Sequence, residues 1–145
     1  MMEQAVVSAL QLLREGQAAC VVLRDSEIIR AETGRGVAPM IRLYEDGALQ
    51  GAYVVDKIVG KAAAMLYLYM GVSRVYAEVM SDAARDALTA RGVDCFCRVR
   101  TDKIVNRRGD DLCPMEKTVA EIDDPVAALG ALRKKAAEFA AAANR

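Results

Sequence analysis

Histidine is absent from all 145 residues. That absence excludes Ser-His and Cys-His nucleophile pairs, His-ligated zinc and the usual general base near neutral pH. A surplus of one charge is also missing: 20 Lys plus Arg stand against 20 Asp plus Glu. No long run of a single sign exists to act as a nucleic-acid tail, so neither nucleic acid nor a membrane surface is an expected partner. The longest uncharged apolar run, Ala62 to Val72, is about half of the ~20 residues that a membrane span needs. The opening stretch MMEQAVVSALQLLREGQ carries Glu3 and Arg14 within a helical apolar pattern. It has no basic n-region and no small-residue cleavage site, so it reads as a first helix and not as a signal peptide. The four cysteines, Cys20, Cys95, Cys97 and Cys113, lack the tight spacing of disulfide-rich secreted domains. Reduced thiols in a soluble cytoplasmic protein are the expectation. No internal repeat or long low-complexity linker divides the chain.

A hydrophobic content of 54% is ample for one core. Val6, Ala9, Leu10 and Leu13 keep helical spacing from about residue 2 to 15, ended by Gly16. AACVVL and EIIRAE around Asp25-Ser26 read as a tight hairpin. TGRGVAPMIRLYEDG breaks the sheet, with Pro39 suited to open a short helix that Asp46-Gly47 ends. GAYVV is a brief extended entry into a helix from Asp56 to Met70, closed by Gly71. VSRVYAEVM is the next strand, SDAARDALTARG a helix capped by Ser81 or Asp82 and stopped by Gly92, and VDCFCRV another strand with Cys95 and Cys97 on one face. A polar loop then leads to a helix opened by Pro114, and Asp123-Asp124-Pro125 precedes the last one. Alternating strands and helices give an α/β class, a three-layer α/β/α sandwich whose opening hairpin makes the sheet mixed. Residues 1–124 form its single domain, with 125–145 as a helical extension.

In VVDKIVGKAAAMLYLYM, Lys57 and Lys61 are four residues apart. On a helix they would stack over the first turn, where backbone N–H groups already present positive charge. A phosphate or carboxylate ligand would answer both. Gly60 costs ~1 kcal/mol inside a helix and leaves room for close approach, while Asp56 is placed to cap. The same pattern fits a core helix whose lysine stems reach the surface. In NRRGDDLCPMEK, Pro114 at the first helical position puts Cys113 at the N-cap, where the dipole favours a thiolate. Glu116 can then complete the cap. Cys113 is the best candidate for a reactive thiol, and equally fits a small buried residue beside a structural proline. Arg35, between Gly34 and Gly36, could help wrap an anion. The Cys95 and Cys97 pair reads as core packing.

GRGVAPMI, VVDKIVGKAAA, VYAEVMS, NRRG and LCPMEK, in this order, resemble an uncharacterised domain-of-unknown-function family whose fold is placed with the cytidine deaminases. The resemblance spans about Ala18 to Val119. It implies a pocket between two helix N-termini, covered by the loop carrying Asn106, Arg107 and Cys113. Zinc deaminases place His-x-Glu or Cys-x-Glu at one helix start and Pro-Cys-x-x-Cys at the next. Here Asp56 and Lys57 stand at the first position and Ser81 at the second, so neither ligand set is present and no cofactor is expected.

These residues define a strongly cationic pocket for a small anionic ligand, nucleotide-like or phosphorylated. Lys57, Lys61, Arg107 and Arg35 hold the anion beside Gly60, Ser81 and Asn106. As a metal-independent enzyme, a transferase or hydrolase at a carbon–nitrogen centre by fold analogy, the protein would use Asp56, Glu116 or Lys57 as acid or base and Cys113 as nucleophile. The alternative is a non-catalytic ligand sensor or interaction module. A metal held by Cys113, Asp56 and Glu116 is a third reading. The apolar faces of the Asp56 and Pro125 helices exceed what one domain can bury, which predicts a homo-oligomer.

Overall fold

The computed structural model describes residues 3–34, 42, 43, 45, 47, 49–106 and 108–143. Helix α1 (Gln4–Arg14) buries Val6, Ala9, Leu10 and Leu13, the stripe its sequence spacing predicts. Gly16, at φ 74°, ends it, with Gln17 N–H returning to the Leu12 carbonyl at 2.9 Å. Strands β1 (Cys20–Arg24) and β2 (Glu27–Glu32) follow as a hairpin. Asp25 and Ser26 both take positive φ, 52° and 64°, the twist that a two-residue turn between antiparallel strands requires.

The remaining elements are β3 (Tyr53–Val59), α2 (Lys61–Tyr69), β4 (Arg74–Ser81), α3 (Asp82–Ala90), β5 (Asp94–Thr101), α4 (Pro114–Val119) and α5 (Pro125–Ala143). The sheet has the order β2-β1-β3-β4-β5. β1 is antiparallel to both β2 and β3, while β3, β4 and β5 are parallel, so the sheet is mixed as expected. One face packs Val21, Leu23, Val55 and Tyr76 against α1. The other packs Cys20, Val22, Val54, Val75 and Ala77 against α2, α3 and α5. In the segment read as an extension from residue 125, Ala128, Leu129 and Leu132 are buried in this larger core.

The chain between Tyr53 and Lys61 departs from the sequence expectation. Asp56 does not cap a helix; it lies in the middle of β3, paired with Cys20 on one side and Ala77 on the other. The β1 ladder holds the strand as far as Asp56 and the β4 ladder carries it to Val59, and the local cap signal of one aspartate cannot compete with them. Gly60, in extended conformation at φ −99°, is the true N-cap of α2. Its cost as a helix-interior glycine therefore does not arise, and Lys57 and Lys61 do not share a helix face.

Helix α2 is buried on nearly all sides, from Ala62 through Tyr67, inside the single chain. Its apolar surface is thus no surplus demanding a second subunit. The expected helix at Pro39 lies partly outside the described residues; Arg42, Leu43 and Glu45 are helical. Among the described residues, no helix is long and apolar enough to cross a membrane.

Candidate functional site

The parallel strands β3 and β4 deliver the starts of α2 and α3 to the same end of the sheet. Between these helices, under the segment after β5, is a cavity of about 630 Å³. Met65, Leu68 and Ala87 line it from α2 and α3, Ile104 and Leu112 from the covering segment, and Glu116 from α4. Ser81 lies on its wall and caps α3 by accepting from Ala84 N–H at 3.1 Å. That cap agrees with the sequence reading.

Lys61 and Glu116 are brought together here, in a way the sequence does not reveal. Glu116 is the third residue of α4, yet it does not cap its own helix. Its carboxylate reaches α2, where Oε1 accepts from Lys61 N–H and Oε2 from Ala62 N–H, both at 2.8 Å. The positive end of α2 is thus met by an anion from the same chain. Gly60 makes this possible, because a Cβ there would stand 2.6 Å from Glu116 Cδ. The Lys61 ammonium donates to the Ala120 carbonyl and to Asp123 Oδ1, each at 3.1 Å. Both features that suggested a ligand anion are therefore satisfied internally.

The lining is not strongly cationic either. Lys61, Arg91 and Lys103 share it with Asp86, Asp102, Glu116 and Asp123. The expected contributions of Arg35 and Arg107 lie outside the described residues. Lys57 is exposed on β3 and is not among the lining residues. Asn106 is committed to its own loop: Oδ1 accepts from Gly109 N–H at 2.8 Å and Nδ2 donates to Asp110 at 2.9 Å. Cys113 is the N-cap of α4 as expected, half-buried, with no hydrogen bond from its side chain to the helix. It too lies outside the cavity lining.

Asp56 belongs to a separate buried cluster beneath α2. Tyr67 OH donates to Asp56 Oδ2 at 2.5 Å, and Lys57 N–H to Asp56 Oδ1 at 2.7 Å. Cys20 Sγ is 3.3 Å from the Tyr67 oxygen. Burial pushes the Asp56 carboxyl up to about 6, and the bonds from Tyr67 and from the Lys57 and Ile58 N–H groups only partly offset it. Burial, helped by the Asp56 charge, also raises Cys20 and Tyr67. Cys20 and Tyr67 carry no functional signal in the sequence, because 47 residues separate them and only the β1–β3 pairing and the placement of α2 make them neighbours. The sequence places Asp56, Cys113 and Glu116 as one reactive set; the structure sends them to different places. Among the described residues no three His, Cys, Asp or Glu side chains gather as a metal set.

The wider similarity agrees with this architecture. The sequence profile described as a domain of unknown function (DUF1893) matches residues 8–136, reaching into α5. A crystal structure of TM1506, a DUF1893 family protein from Thermotoga maritima, superposes with a TM-score of 0.82 at 26% identity. It covers 93% of this chain and 92% of its own. No curated protein matches the sequence. With most of its length matched by the family profile and its fold shared with a solved member, the chain belongs to the DUF1893 family.

Proposed function

We propose that the protein binds a small polar metabolite in the cavity between α2 and α3, and that it does so as a non-catalytic binder or sensor. One observation carries this reading: a pocket of about 630 Å³ at the carboxyl ends of the parallel strands, with an apolar floor and charged groups at its margin. That size and composition suit a metabolite, and the carboxyl edge of a parallel sheet is where open α/β folds receive ligands. The placement also supports the cytidine deaminase-like reading of the fold, since two helix N-termini converge there. Those helices start at Gly60-Lys61 and Ser81-Asp82, without His or Cys at either start.

The ligand we favour is anionic and carries a flat or apolar body, as a nucleotide does. Its anionic group would meet Lys103, because Lys61 is already paired and Arg91 donates to the Asp123 carbonyl at 3.2 Å. Catalysis has less support than binding: Asp56 is sealed in its own cluster, Glu116 is held by two backbone N–H groups, and Cys113 lies apart from the lining.

Thermal unfolding against nucleotides, sugar phosphates and carboxylates tests the proposal. A ligand at ~100 times its Kd adds ~2.7 kcal/mol to stability. One class is expected to raise the melting temperature of the wild type, less so of Lys103→Ala, and equally of Cys113→Ala. If no class raises it, the binding reading fails. If Cys113→Ala abolishes a turnover that the wild type performs, the non-catalytic reading fails.

A further inference from the structure

Two helix starts wall the cavity, and only one of them is closed. At α2, the Glu116 carboxylate takes the Lys61 and Ala62 N–H groups. The Lys61 ammonium is committed to Ala120 and Asp123, and Arg91 Nη2 to the Asp123 carbonyl. At α3 no side chain arrives from another element to do the same. Ser81 is 1% exposed and lines the cavity. Its Oγ accepts from Ala84 N–H, yet among the described residues its hydroxyl hydrogen has no acceptor. A hydroxyl can donate as well as accept, and a buried donor without an acceptor is costly. The Ser81 hydroxyl is thus a second sign, separate from the helix start itself, that this end of the cavity receives an acceptor from outside the chain. Ala83, the second residue of α3, also lines the cavity, and its N–H has no partner within the helix. Lys103, exposed on the covering segment, makes no side-chain hydrogen bond or ion pair among the described residues.

We infer, on the binding reading above, that the start of α3 seats the anionic group of the ligand, whose oxygens accept from the Ser81 hydroxyl and the Ala83 N–H while Lys103 pairs with its charge. The positive end of α3 favours this orientation. Asp82 does not oppose it, because its carboxylate is turned to Arg100, whose Nε and Nη2 donate at 3.1 and 2.7 Å. Asp86, one turn further along α3, and Asp102 line the cavity without a hydrogen bond or ion pair among the described residues. They suit N–H donors on the body of the ligand, which lies against Met65, Leu68, Ile104 and Leu112. The ligand class is therefore a phosphate or carboxylate with N–H donors on a flat or apolar body. A ligand that placed its charge at α2 instead would have to displace Glu116.

Amide NMR titration of the wild-type chain with inorganic phosphate and with adenosine monophosphate tests this. The largest shifts are expected at Asp82, Ala83 and Lys103, with Lys61 and Ala62 unmoved because Glu116 keeps their N–H groups. Lys103→Glu, on an exposed side chain, is expected to weaken both probes by about tenfold or more. Ser81→Asp can still cap α3 but sets a like charge against the anion, and is expected to abolish binding. Lys103→Glu carries the test if that buried substitution disturbs the fold. Shifts centred on Lys61 and Ala62, or binding indifferent to Lys103→Glu, overturn the inference. Shifts confined to Met65, Leu68, Ile104 and Leu112 also overturn it, while leaving the binding reading intact. With no shift at any residue lining the cavity, the binding reading fails and this inference falls with it.

Discussion

Two carboxylates sit on opposite faces of the same sheet and are equally hidden, Asp56 at 7% exposure and Glu78 at 8%. Their protonation runs in opposite directions. Asp56 faces the helical side, with Tyr67 and Cys20 as neighbours and no cation, and burial raises it to about 6. Burial acts to raise Glu78 as well. There, however, Arg14 and Arg98 each donate at 3.0 Å, and their hydrogen bonds and charges outweigh it, holding Glu78 below its ordinary range. Burial alone does not decide whether an acid is ionised; the partners supplied by neighbouring elements do. The closed face holds an acid poised to take up a proton, and the half-open face holds a permanent ion cluster.

The largest expected effect comes from removing the charge of Asp56. Its carboxyl binds a proton more tightly folded than unfolded, so its contribution is full below its ordinary 3.8 and declines as pH rises through about 6. That difference corresponds to about 3 kcal/mol. In Asp56→Asn, the amide can donate to Tyr67, whose hydroxyl then turns to Cys20, and no charge is buried. Relative to wild type, the variant should therefore gain about 3 kcal/mol between pH 3 and pH 7 in urea unfolding. A difference that stays flat across this range would show that Asp56 is not the titrating group.

A smaller effect is expected at the start of α2, where Glu116 supplies the missing anion. Glu116→Ala should cost about 1–2 kcal/mol, the range for a lost helix cap. Gly60→Ala should cost a similar amount, because its methyl group displaces the same carboxylate. The double variant should be little worse than either single one, since both remove one interaction. Additive losses would mean that Gly60 serves the fold in some way unrelated to Glu116.

Smallest is the loss at Glu78. The Arg14 and Arg98 side chains are 58% and 57% exposed, and solvent screens pairs of that kind, so Glu78→Gln should cost no more than about 1 kcal/mol at pH 7. With its folded pKa lowered, Glu78 contributes above its ordinary 4.5 and loses that contribution as pH falls through the folded value. The penalty of the variant should accordingly shrink in acid, opposite in slope to Asp56→Asn. Parallel slopes in the two variants would erase the contrast between the faces.

Much of this was legible without coordinates. The α1 stripe, the Asp25-Ser26 hairpin, the Ser81 cap and the Cys113-Pro114 helix start all rest on contacts within a few residues, and each formed as its local chemistry dictates. The VVDKIVGK segment was misread for the opposite reason. Its i, i+4 lysines and its aspartate are valid helix signals, but two neighbouring strands, 30 or so residues before and 20 after, claim the same backbone for a ladder. A pocket between two helix starts was an implication of the family resemblance and not of local signals, and its electrostatics were not legible at all, because Glu116, Asp123 and Lys61 meet only after α4 folds onto α2.

The sequence by itself determined the class of this protein: period-2 and period-3.6 apolar patterns alternate, a hairpin comes first, and a chain without histidine cannot build the commonest metal or nucleophile sites. Tertiary structure alone decided what its charges do. A carboxylate becomes a helix cap, a raised acid or an ion-pair centre according to which distant element arrives beside it, and no local rule encodes that arrival.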